Sequence, residues 1–174
     1  MSKTDYDLSL IKAVVFDIDG VLSPICIPMG ADGVPRRMAN LRDGYAIHLA
    51  IKKGIKIAII TGANDPAIEV RFKALGVDDI YMIHSAKIEI LKEWMERNSV
   101  APEQTAYVGD DIPDYECMKY VGLPVAPRDA APEIRMSARY VTDAEGGQGV
   151  ARELLEQILK VRGEWPLTSN ANDL

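Results

Sequence analysis

Two runs, IKAVVF (11–16) and IKIAII (55–60), are apolar and β-branched along nearly their whole length. A strand with one wet face alternates polar and apolar residues. A run without that alternation suits a strand covered on both faces, the usual situation in parallel sheets. Shorter runs of similar character follow at DIYMI (79–83), TAYVG (105–109), LPVA (123–126) and ARYVT (138–142). Helical stretches separate them. Residues 43–53 begin at Asp43 as N-cap and stop at Gly54; 66–75 open on Pro66 and end at Gly76; 86–97 follow Ser85 as cap. Residues 113–121 start at Pro113, and 149–162 place Val150, Leu154, Leu155, Ile158 and Leu159 on one face. Strand–helix alternation predicts an α/β fold: a Rossmann-like three-layer α/β/α sandwich around a central parallel sheet.

The chain of 174 residues suits one domain, and 48% hydrophobic residues can bury a sizeable core. A net charge of −6 argues against nonspecific binding to nucleic acid or to anionic membranes. With no signal peptide and no long apolar run, a cytoplasmic protein is expected. Cys26 and Cys117 form no CxxC pair and read as two buried, reduced thiols, and two histidines are too few for a His-rich zinc site.

Open parallel sheets bind ligands at the carboxyl ends of their strands. After the first strand come Asp17 and Asp19; after the second, Thr61 and Gly62. Lys87 opens the helix after the third, and Asp110, Asp111 and Asp114 follow the fourth. Carboxylates, a hydroxyl and an ammonium should therefore converge on one crevice. Clustered carboxylates favour a hard, oxygen-seeking cation such as Mg²⁺. The chemistry that suits the set is phosphoryl transfer: one carboxylate attacks phosphorus, a second moves protons, and Thr61 and Lys87 hold phosphoryl oxygens. DIDG lacks the later oxygen ligands of an EF-hand, and no P-loop pattern is present.

DIDGVL, TG, Lys87 and GDDIPD, in this order and each near a strand end, resemble the four motifs of the haloacid dehalogenase-like phosphatase superfamily. The resemblance spans roughly residues 10–163. It implies Asp17 as nucleophile and Asp19 as general acid/base. It implies Mg²⁺ held by the Asp17 carboxylate, the Asp19 backbone carbonyl and Asp110, with Asp111 and Asp114 in support. A receiver-type signalling module uses similar residue types, but with the acidic pair first; here the pair comes last. A catalytically silent, oligomerising version of the fold is the other non-enzyme alternative.

Substrate choice in this superfamily usually comes from an inserted cap domain. Residues 62–109 are taken up by two helices and two strands, and residues 20–42 are too short for a domain. The turn signal GADG (30–33) between two apolar arms predicts a β-hairpin flap over about 21–40. Residues 1–163 then form one capless domain, and 164–174 a flexible tail. RDGYAIHLAIKKGIKIAIITG, YVGDDIPDYECMKYVGLPVAP, DAAPEIRMSARYVT and GGQGVARELLEQIL are similar to the capless, tetrameric subgroup, whose sites are shared between subunits. That similarity implies a sugar-acid phosphate substrate, with an eight-carbon acid ahead of a nine-carbon one, and Arg71 as the group that binds its carboxylate. Thr61, Gly62 and Lys87 are expected to bind the phosphate end. Ala63 departs from the TGR and TGE patterns of that subgroup. Gly146, Gly147 and Gly149 read either as a hinge or as an ordinary loop.

Overall fold

The computed structural model describes residues 4–83 and 86–166. Six parallel strands make one sheet: β1 (Ala13–Phe16), β2 (Lys56–Thr61), β3 (Asp79–Met82), β4 (Thr105–Val108), β5 (Leu123–Ala126) and β6 (Tyr140–Val141), in the order β3-β2-β1-β4-β5-β6. Among the described residues five α-helices connect them, α1 (Leu41–Lys52), α2 (Pro66–Lys73), α3 (Lys87–Asn98), α4 (Tyr115–Tyr120) and α5 (Pro132–Ser137), and α6 (Val150–Val161) follows the last strand. β1 is central because every side chain in it is buried, and it pairs with β2 and β4.

The period of two in β1 divides the core. Val14 and Phe16 face the layer of α1, α2 and α6, while Ala13 and Val15 face α3, α4 and α5. Leu154, Leu155, Ile158 and Leu159 of α6 are fully buried. Burying each such side chain stabilises by roughly 1.5–3 kcal/mol, so a charge on this stripe would undock the helix. Trp94 anchors α3 in the other layer and donates its indole N–H to Asp79 Oδ2 at 2.8 Å.

The three-layer parallel fold is as expected, and among the described residues α2, β3 and α3 take up most of the chain between β2 and β4. Several local expectations shift. α1 begins two residues before Asp43: its N-cap is Asn40, whose side chain accepts from the N–H groups of Arg42 and Asp43. Asp43 Oδ1 accepts instead from the Arg152 N–H at 2.7 Å, in the first turn of α6. Among the described residues Asp43 Oδ2 has no hydrogen-bond partner, and burial pushes this carboxyl up to about 6. The expected cap Ser85 lies outside the described residues, as do residues 167–174 of the tail. Cys117 is buried, but Cys26 is exposed, so only one of the two thiols is in the core.

The flap has the expected turn and little of the expected strand. Gly33 sits at φ 77°, the Gly33 N–H reaches Gly30 O at 2.9 Å, and the Gly30 N–H reaches Val34 O at 2.8 Å. Beyond one antiparallel bridge, Met29 to Pro35, the arms are irregular. Pro28 and Pro35 lack the N–H groups that a longer ladder would need. Ile25, Met29 and Met38 are exposed along this segment, as is Leu41 at the start of α1.

Candidate active site

The carboxyl ends of β1 and β4 lie side by side, where the chain order of the sheet reverses, and a cavity of about 290 Å³ opens there. Asp17, Asp19, Thr61, Gly62, Lys87, Asp110, Asp111 and Asp114 all line it. Four separate stretches of chain thus meet, each placed by the end of its strand or by the first turn of its helix.

Asp17 follows β1 and is buried. Its Oδ1 accepts from the Ile18 N–H at 2.7 Å, and its Oδ2 pairs with Lys87 Nζ at 2.8 Å. Burial, and then Asp114, push its carboxyl up to about 6 against the pull of Lys87. Lys87, first residue of α3, is also buried and places the same Nζ 2.8 Å from Asp114 Oδ1. Burial opposes its charge, but Asp17 and Asp114 hold its pKa above the ordinary lysine value.

Asp110 follows β4 and is buried, and among the described residues its carboxylate has no hydrogen-bond or ion-pair partner. Burial first, then Asp114, Asp17 and Asp111, raise it to about 8. Asp114 accepts three hydrogen bonds: Oδ1 accepts from Lys87 and from the Tyr107 hydroxyl at 2.7 Å, and Oδ2 from the Asp110 N–H at 3.1 Å. Asp111 is exposed and turns back to cap the Ile112 N–H at 2.8 Å. Thr61, at the end of β2, accepts the Ala63 N–H on its Oγ1 at 3.1 Å, which leaves the hydroxyl proton for another acceptor.

Two glycine positions keep this geometry possible. Gly20 has φ 77°, and a Cβ there would overlap the Asp110 carboxylate. Gly146 packs on the Gly20 backbone, where a Cβ would clash, and the Gly147 N–H reaches Val21 O at 2.8 Å. Gly146 and Gly147 are therefore close-packed support for the DIDG turn, whereas a Cβ at Gly149 would meet open space.

Asp17, Asp110 and Asp114 hold carboxylate oxygens within 4.8 Å of one another. An all-carboxylate set with one member unpaired and two pKa values raised by burial and then by neighbouring carboxylates suits a hard divalent cation. Asp114 already carries three protein donors and Asp17 two, so Asp110 is the most open carboxylate of the set.

Two residues of the site escaped the sequence reading. Tyr107 sits in the middle of a buried strand, where an aromatic reads as core; only its hydroxyl reaches Asp114. Arg37, in the irregular segment before α1, forks the Asp19 carboxylate with Nε at 2.8 Å and Nη2 at 2.9 Å. No periodic signal marks that position. Arg71 is not in the catalytic cavity. It lines an adjoining cavity of about 200 Å³ with Ile18, Leu22, Met38, Ile68 and Phe72, and its guanidinium lies against Gly44. Arg37 lines both cavities.

A family model for haloacid dehalogenase-like hydrolases matches residues 79–154. The 3-deoxy-D-manno-octulosonate 8-phosphate phosphatase of Escherichia coli K12 is 40% identical over 154 residues, covering 88% of this chain and 82% of that protein. The cobalt-bound deoxy-D-mannose-octulosonate 8-phosphate phosphatase of Haemophilus influenzae superposes with a TM-score of 0.88 at 29% identity, covering 95% of this chain and 97% of that one. A Moraxella catarrhalis 3-deoxy-D-manno-octulosonate 8-phosphate phosphatase, solved with magnesium, phosphate and KDO, gives a TM-score of 0.86 at 28% identity over 91% of both chains.

Proposed function

The chain belongs to the haloacid dehalogenase-like hydrolases and is a phosphatase, and from that premise we propose that it hydrolyses 3-deoxy-D-manno-octulosonate 8-phosphate, with Mg²⁺, through an aspartyl phosphate. The observation that carries the chemistry is the convergence of Asp17, Lys87 and Asp110 in one cavity. The named activity of the 40% identical relative supports the substrate.

Asp17 is the nucleophile. Lys87 and the Ile18 N–H hold one lone pair on each of its oxygens, which fixes the plane of the carboxylate while other lone pairs stay available. An Asp17 oxygen bonds to phosphorus as the ester P–O bond breaks, and Asp19 gives its proton to the leaving oxygen. A water oxygen then bonds to phosphorus, Asp19 takes the water proton, and the bond from phosphorus to Asp17 breaks, releasing inorganic phosphate. Thr61 Oγ1–H and Lys87 bind the other phosphoryl oxygens. When bound by Asp17, the Asp19 carbonyl and Asp110, Mg²⁺ supplies Lewis-acid stabilisation of the phosphoryl charge. Gly62 lets the substrate approach the backbone, and Asp111 and Asp114 orient the loop.

We assign the far end of the substrate to the second cavity, where Arg71 would bind its carboxylate. One subunit leaves that end open to water. The exposed apolar flap residues Ile25, Met29 and Met38, with Leu41 at the start of α1, support packing of the flap between subunits, in a homotetramer with shared sites. The free thiols Cys26 and Cys117 accord with a cytoplasmic setting. The test is phosphate release, with Mg²⁺ and with chelator, across phosphates of eight- and nine-carbon sugar acids ranked by kcat/KM. A higher kcat/KM for a nine-carbon 9-phosphate would reassign the substrate, and full activity in excess chelator would remove the metal.

A further inference from the structure

Arg37 is a half-buried cation that none of the motifs requires. Its neighbour Arg36 is spread in solvent against Asp32, with 57% of the side chain exposed, whereas Arg37 turns inward and is 14% exposed. Its guanidinium touches three parts of the fold. It belongs to the flap segment, it forks both oxygens of Asp19 on the catalytic turn, and its Nη1 lies 3.4 Å from Asp65 Oδ2 at the N-cap of α2.

Asp19 needs such a partner. Its carboxylate is 41% exposed on a short turn, and among the described residues Arg37 is its only ion-pair partner. The chemistry requires that carboxyl at one place twice: first to protonate the leaving oxygen, then to take a proton from the attacking water. A point charge would attract it without orienting it, whereas a planar fork fixes the carboxyl plane. A carboxylate offers about four lone-pair sites and the fork uses two, so a proton can still be carried on the remaining ones.

We propose that Arg37 is a positioning residue that holds Asp19 for both proton transfers and ties that alignment to the flap. This role rests on the phosphatase reading above. It makes a prediction that depends on the leaving group. Phenyl phosphate and 4-nitrophenyl phosphate are almost the same size, but phenolate needs a proton as it departs and 4-nitrophenolate does not. The value of kcat/KM ends at the first irreversible step, so it reports protonation of the leaving group and not the later attack of water.

The experiment compares kcat/KM for the two esters, with Mg²⁺, in the unaltered protein, Arg37→Ala and Arg37→Lys. We expect Arg37→Ala to lose about tenfold more on phenyl than on 4-nitrophenyl phosphate, a fraction of the roughly 10²–10⁴ that general acid–base catalysis supplies in full. Arg37→Lys, which keeps the charge and the stem, should show the same bias, and it carries the test if the alanine variant does not fold. Equal losses on the two esters would overturn the proposal, because a structural or substrate-contact role does not sense the leaving group. A gain in activity would overturn it too, making Arg37 a lock on Asp19, and full rescue by lysine would show that orientation is unimportant. If the unaltered protein released phosphate from neither these esters nor the sugar-acid phosphates, the phosphatase reading would fall and the role of Arg37 with it.

Discussion

Asp110→Asn should make the metal-free protein more stable, and the gain should grow with pH. Asp110 is 6% exposed, and its carboxyl is pushed from 3.8 to about 8 by burial and then by Asp114, Asp17 and Asp111. The native protein therefore keeps a proton on Asp110 that the unfolded chain has already released. Stability from this group is intact below about pH 4, and it is lost as pH rises toward and through about 8. At ~1.4 kcal/mol per pKa unit, the displacement is worth on the order of 5 kcal/mol at pH 8, against a total of ~5–15 kcal/mol for a typical domain. Asparagine keeps the shape, has no charge to desolvate, and offers an amide to the neighbouring carboxylates. Asp17 is raised by burial and by Asp114, so its contribution is common to both proteins and cancels from the difference. The assay is urea unfolding in chelator at several pH values, extrapolated linearly to water. The gap between variant and unaltered protein should widen by about 1.4 kcal/mol per pH unit between about pH 4 and 8. Millimolar Mg²⁺ should then close the gap, because the ion stabilises only the chain with the Asp110 carboxylate. A gap that does not change with pH, or an unaltered protein more stable in chelator at pH 8, would refute the picture of Asp110 as a strained, metal-ready carboxylate.

Asp17→Asn should reduce phosphate release to background, since an amide does not form the acyl phosphate, and Asp19→Asn should slow it by roughly 10²–10⁴-fold; near-normal turnover by Asp17→Asn, with deamidation ruled out by mass spectrometry, would sink the covalent route. Arg71→Ala should lose about 10–100-fold more kcat/KM on the sugar-acid phosphate than on a small phosphate ester, the worth of one charge-assisted pair; equal losses would move Arg71 from recognition into the fold.

What could be read from the sequence followed from local rules. An apolar run that ends in Asp, Thr-Gly or Gly-Asp marks a strand end, and in a parallel sheet the strand ends share one edge; that placed Asp17, Thr61 and Asp110 together before any coordinates. Missing were the contacts made by pairs distant in the chain. Asn40 and Asp43 are both good caps by composition, and only the Arg152 N–H, 109 residues away, decides which of them caps α1. Arg37 finds Asp19 from an irregular segment, where no period predicts the direction of a side chain. Six-residue α5 falls below the length at which periodicity can be seen. Lys87 was found as a motif residue, but its pairing with Asp114 as well as Asp17 needed the α3 N-terminus to be set against the loop after β4.

The charges within the cluster show why a chain would keep so costly an arrangement. Three buried carboxylates, Asp17, Asp110 and Asp114, face one buried ammonium, Lys87, and that ammonium is already committed to two of them. Full ionisation would leave an imbalance of two negative charges, and it falls with the cost of burial on Asp110, which among the described residues has no protein donor and keeps its proton up to about pH 8. One divalent cation cancels it. A second lysine would cancel it as well and would stabilise the resting fold, but it would fill the space where a phosphoryl group must sit and offer no site for its oxygens. An amide at position 110 would relieve the repulsion and leave nothing to hold the metal. The strain is thus localised on the one residue whose neutralisation by an ion also prepares the site for its substrate, a trade of stability for activity. That is why stability in chelator and activity in Mg²⁺ should move in opposite directions when Asp110 alone is changed.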